Sequence, residues 1–196
     1  MKNQSENKVY TLAEVLGKHT IAELKQMTQV LEVKVLSKAK KQEIIDALSA
    51  KLLDKELLTA WLLAAGKQEI EELELAMAED VVSAEESGRF YYWINLPVVL
   101  VTGDGVVVVP SETAAVYNEI KSDREYAAKR ARIDVMDEYL MSCVNLYRAI
   151  DITTFLSILN GQTGMNAKRP ELESWLKDRE AVRGQQMYFF EGGYIL

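Results

Sequence analysis

Cysteine and histidine are almost missing from this chain: its 196 residues include one of each, Cys143 and His19. A lone cysteine excludes an internal disulfide framework and fits a reducing compartment. One cysteine and one histidine are also too few for a zinc knuckle or a Cys/His catalytic pair of the usual spacing. Long apolar runs are wanting too. The longer ones, "AWLLAA" and "VVVV", fall far short of the roughly 18 residues that a membrane span needs, so no membrane partner is expected. The opening "MKNQSENKVY" lacks the apolar core of a signal peptide, which leads us to expect a cytoplasmic protein whose residues 1–10 form a flexible tail. No G-x-x-x-x-G-K-[ST] phosphate loop is present. No nucleophile has a base partner at a readable spacing, so the chain reads as non-enzymatic, with no cofactor and no metal.

Charge is plentiful but unevenly placed. Residues 1–55 carry ten lysines against seven acids, a balance of +3, whereas residues 56–93 carry nine acids against two bases, a balance of −7. The remainder is close to neutral, and the whole chain stands at −7. That sum argues against indiscriminate nucleic-acid binding, while the asymmetry points to modular organisation. The acidic middle would suit a protein partner.

The pattern predicts a mainly α fold with two short β-hairpins, a helix–extended–helix head and two winged-helix-like units. "TLAE" (Thr11, Glu14) and "TIAE" (Thr20, Glu23) are capping boxes. Ile21, Leu24, Met27 and Leu31 stripe one helix, and Ile44, Ile45, Leu48 and Leu52 stripe another. The connector "VKVLS" between them is β-branched and reads as extended. The head thus spans residues 11–54. A second unit, 55–118, has helices broken at Gly66, a box "SAEE" at 83–86, and a hairpin at 98–110 turning on "GDG". The third, 119–196, opens on a long helix with the box "SDRE" (Ser122, Glu125). It continues with a helix capped by Asp151 and stopped at Asn160-Gly161, then one begun by Pro170, and closes on a hairpin at Gly192-Gly193.

The residues that draw attention are lysines at an unexpected place. Helix N-termini carry partial positive charge and favour acids, yet with Ser37 as N-cap, Lys38, Lys40 and Lys41 would all lie at the start of a helix. Lysine is a good helix former with a solvated head, and the local cost is only a few tenths of a kcal/mol. An anion would turn that cost into a gain, since end amides, dipole and ammonium groups would converge on one phosphate track.

"AELKQM" in the first striped helix and "KKQEIIDAL" in the second carry a resemblance. Residues 20–52 resemble the helix–extended–helix unit that opens the bacterial transcription terminator Rho, and are similar to SAP- and LEM-class modules. The resemblance implies contact with RNA or DNA at this unit, and together with the position of the lysines it leads us to expect a nucleic-acid-associated regulatory or binding protein with Lys34, Lys38, Lys40 and Lys41 as phosphate contacts, assisted by Ser37. Glu32-Val33 stand where such units often carry a glycine before the connector. Nothing in the chain is similar to Rho's ATPase. The alternative is a protein–protein adaptor without nucleic-acid affinity.

Other fragments read more plainly. Arg148, Lys168, Arg169, Lys177, Arg179 and Arg183 could line a recognition surface, but Glu171, Glu173, Asp178 and Glu180 interleave with them. Met136, Tyr139, Leu140, Cys143, Leu146 and Tyr147 recur at helical spacing and read as core, and so does "FYYW" at 90–93. The acids of residues 69–80 scatter around a helix and read as a solvated face, and His19 reads as a surface residue.

Overall fold

The computed structural model describes residues 9–78, 89–101, 106–183 and 193–195. Among these the chain is mainly helical, with two short antiparallel strand pairs. It divides into two compact units, one built from residues up to 59 together with 68–123, the other from 60–67 together with 124–196.

The first unit begins with α1 (Leu12–Lys18) and α2 (Ile21–Val30). Both expected capping boxes are formed, with Thr11 and Thr20 each exchanging hydrogen bonds with the glutamate three residues on. The connector leads to α3 (Lys41–Leu52), which buries Ile44, Ile45, Leu48 and Leu52. These meet Leu12, Val15, Leu16 and Leu24, also fully or almost fully buried. After Leu52 come α4 (Lys55–Ala64), shared between the two units, then α5 (Lys67–Ala78) and α6 (Tyr91–Asn95). Strands β1 (Leu100–Val101) and β2 (Val107–Val108) pair Leu100 with Val108 and Val101 with Val107. The turn residues of this expected hairpin, and the expected box at 83–86, lie outside the described residues.

Helix α7 (Ser111–Ser122) fastens the head to the rest of this unit. Glu112 accepts from the Leu12 amide at 2.9 Å, Ser111 N donates to the Tyr10 carbonyl at 2.9 Å, and Lys55 pairs with Glu119 at 2.6 Å. Tyr117 donates to Glu74 at 2.5 Å, and Lys121 pairs with the same carboxylate. Phe90 and Trp93 are fully buried, as "FYYW" suggested, and the Trp93 indole donates to the Glu69 carbonyl at 2.5 Å, whereas Tyr91 is exposed.

The second unit is organised around α8 (Arg124–Tyr147). Strand β3 (Ile150–Asp151), α9 (Ile152–Thr163), α10 (Arg169–Arg183) and β4 (Tyr194–Ile195) follow. Met136, Leu140, Cys143, Phe155, Leu159, Leu172 and Ile195 share one core. Burial pushes the Cys143 thiol above its ordinary value, which suits an inert core residue.

Several sequence expectations fail here. Ser122 does not cap α8: it ends α7, its hydroxyl donates to Glu119 O at 2.7 Å, and extended Asp123 separates the helices. Helix α9 runs through Asn160-Gly161 and stops at Gly164, in the left-handed conformation with φ 68°. Asn160 holds the following loop instead, bonding Ala167 N at 2.6 Å and Ala167 O at 2.9 Å. Strand β4 pairs with β3, with Ile150 opposite Ile195, while the first arm of the expected C-terminal hairpin and Gly192 of its turn lie outside the described residues. Leu146 and Tyr147 are exposed, since they follow the last turn that the core covers.

Candidate nucleic-acid interface

The connector owes its path to the end of α2. Val33 N donates to Thr28 O at 2.8 Å and Glu32 N to Gln29 O at 3.2 Å. This is a Schellman closure, and its C′ residue must take the left-handed conformation. Glu32 does so, with φ 52°. The missing glycine therefore leaves the geometry intact, at a cost of about 1 kcal/mol for a side chain in that region.

Ser37 is not the N-cap of α3. A turn closed by Ala39 N on Leu36 O at 3.0 Å takes up Ser37 and Lys38, so the helix starts at Lys41 with Lys40 as its cap residue. Lysine has no side-chain acceptor, so only the return half of a capping box exists: the Lys40 amide donates to Glu43 Oε2 at 2.7 Å. The Ser37 carbonyl accepts from Lys25 Nζ at 3.2 Å.

The five sequence-nominated residues thus separate. Lys34 and Ser37 line a groove of about 640 Å³ between α2 and the connector, together with Lys25, Thr28, Gln29 and Leu36. Lys38 and Lys40 are exposed outside it, and half-buried Lys41 sends its ammonium to the Gly17 carbonyl at 2.5 Å. Among the described residues, Lys34, Lys38 and Lys40 make no ion pair. By contrast, Lys55, Lys121, Lys129, Arg130, Arg132, Arg169 and Arg179 are all paired with acids. Among the described residues the Lys41 and Gln42 amides make no hydrogen bond at the helix end, so dipole and lysines share one anion-attracting end, moderated by Glu43.

The second basic set does not form such a surface. Arg179 is buried against Asp137, with side chains 5% and 10% exposed, and its guanidinium lies 5.4 Å from the Trp175 ring centre. Arg169 pairs with Glu173 at 2.7 Å. Arg148, Lys168 and Lys177 are exposed. The acids of α5 depart from a uniformly solvated face, because Glu72 is buried and bonded by Gln68 at 3.0 Å. Burial holds its carboxyl above the ordinary range. His19 is half-buried rather than on the surface, 3.8 Å from Glu23.

Sequence reasoning missed the apolar neighbours of this site. Val30 and Leu36 are 69% and 80% exposed, and Ile21, expected in the stripe, is 45% exposed. Val30 could have been flagged, being the aliphatic residue of α2 outside the Leu24, Met27, Leu31 stripe. No group of three or more His, Cys, Asp or Glu able to hold a metal exists among the described residues. Nor is any described helix long and apolar enough to cross a membrane. No protein family, curated protein or solved structure matches the chain.

Proposed function

We propose that this chain is a non-enzymatic, nucleic-acid-associated binding or regulatory protein that contacts phosphates around the start of α3. The observation that carries the reading is the clustering of exposed lysines that make no ion pair. Residues 32–41 hold four lysines and one glutamate, and three of those lysines, Lys34, Lys38 and Lys40, are exposed and make no ion pair among the described residues. Lysines held on a fixed turn are suited to phosphate contact, which positions a nucleic acid without reading its sequence. Lys41 contributes charge from its tether on Gly17, and Ser37 supplies a hydroxyl from the turn. The resemblance of residues 20–52 to the Rho and SAP-class units supports the same reading.

Fluorescence anisotropy with labelled single-stranded RNA, single-stranded DNA and duplex DNA over a salt series tests it. Losing two phosphate contacts in a Lys38→Glu/Lys40→Glu variant should flatten the log–log salt slope by roughly 1.4 on a single strand or 1.8 on a duplex. Absence of binding at low salt, or an unchanged slope in the folded variant, would overturn the reading. A second reading, a protein adaptor, is favoured by the exposed Val30 and Leu36 beside the connector.

A further inference from the structure

The connector has an edge that nothing among the described residues uses. Val33, Lys34, Val35 and Leu36 belong to no helix, turn or paired strand, and they alternate half-buried Val33 and Val35 with exposed Lys34 and Leu36, the period of an extended segment. Among the described residues, the amides of Lys34, Val35 and Leu36 make no hydrogen bond, and neither do the carbonyls of Val33, Lys34 and Val35. A row of unpaired main-chain donors and acceptors on an extended segment is a template for another strand. Here the row borders the groove against α2, whose lining mixes aliphatic Val33 and Leu36 with polar Thr28 and Gln29.

We propose that this edge is a strand-addition site for an extended peptide of a partner protein, in which aliphatic residues alternate with carboxylates. Main-chain bonds to the N–H and C=O of Lys34 and the N–H of Leu36, which share one edge of an extended segment, would hold the peptide, and alternate side chains would supply selectivity. The aliphatic set fits against Val33 and Val35, which share one side of the connector. The carboxylates fit Lys34 and Lys25, the latter anchored across the groove on Ser37 O at 3.2 Å. Glu32, at the opposite end of the connector, disfavours an acid there. The groove lining contains no aromatic ring, so it offers a nucleic-acid strand no stacking platform. A second copy of the connector would bring its own lysines against these and be repelled. This gives the adaptor reading its occupant; it shares Lys34 with the nucleic-acid reading, whereas Lys38 and Lys40 lie outside the groove.

The test is a ¹H–¹⁵N titration of the full chain with a capped heptapeptide of alternating valine and glutamate. A valine/lysine counterpart and a short oligouridine serve as comparators. The valine/glutamate peptide should shift the amides of residues 33–37. A Leu36→Pro variant, which removes one exposed amide, should bind about tenfold more weakly, equivalent to about 1.4 kcal/mol. Lys34→Glu, a surface change that leaves the fold intact, should weaken it similarly and transfer preference to the valine/lysine peptide. Shifts elsewhere, no shifts at millimolar peptide, equal response to both peptides, or oligouridine alone perturbing these amides would each overturn the proposal.

Discussion

The connector of the head and the middle of α8 use cations in opposite ways. Along α8, arginines are committed to the fold. Arg130 donates to the carbonyls of Leu62 at 2.9 Å and Ala65 at 2.7 Å and pairs with Asp134 at 2.6 Å. Arg132 joins Glu171 and the Met165 carbonyl, and Arg179 reaches Asp137 from α10. Along the connector, Lys34, Lys38 and Lys40 hold no acid among the described residues. The difference follows from side-chain chemistry as well as position: a guanidinium offers five planar donors that can satisfy several buried acceptors at once, while an ammonium is a strongly hydrated point charge. A cation that the fold needs is surrounded by acceptors. One that the fold does not need is available to a ligand.

The sharpest way to strain that comparison is to break the buried pair. Asp137→Ala leaves the Arg179 guanidinium buried opposite an empty position and should cost about 3–5 kcal/mol, read from urea unfolding midpoints. A loss below about 1 kcal/mol would mean that these charges are not committed to the fold. A smaller effect of opposite sign is expected on the connector. Glu32→Gly removes a side chain from the left-handed region and should raise stability by about 1 kcal/mol in the same measurement.

Acid provides a third, smaller separation. The hydrogen bonds and charge of Arg132 hold the Glu171 carboxyl below its ordinary value. A depressed carboxylate contributes stability that is present above the unfolded value and lost as pH falls through the folded one. Stability should therefore decline as pH drops below about 4.3, the ordinary glutamate value, and Glu171→Gln should flatten that decline. Unfolding midpoints between pH 6 and pH 3 would show it, and parallel curves for parent and variant would refute it.

Much of the first unit was legible because its signals are local. Thr11 with Glu14, Thr20 with Glu23, the Ile44–Leu52 face and the Val-rich strands all act within a few residues. Ser37 misled because capping is a competition: the turn from Leu36 to Ala39 removes it from the helix, and Glu43 takes over at the Lys40 amide. Gly161 misled because its helical cost of about 1 kcal/mol is offset by Asn160, which secures Ala167 from inside the helix. Strand β3 and the burial of Arg179 were hidden for a different reason. Their partners, Ile195 and Asp137, lie far off in sequence, where periodicity carries no information. For the candidate site, the lysines were readable from charge alone. The groove and the unpaired edge of the connector depend on the Schellman turn at Glu32 and were not.

The measurement that most directly tests whether the connector cations are reserved for a ligand is a thermal-shift comparison. It sets the parent against a Lys34→Ala/Lys38→Ala/Lys40→Ala variant, each with and without single-stranded RNA at low salt. Because a ligand that binds only the folded state raises its stability by mass action, the parent should melt higher with RNA. The variant should melt where the free parent does, since unpaired surface charges contribute within about 0.5 kcal/mol, and RNA should not move it. A variant that melts well below the free parent, or one that RNA stabilises as strongly as the parent, would contradict the account.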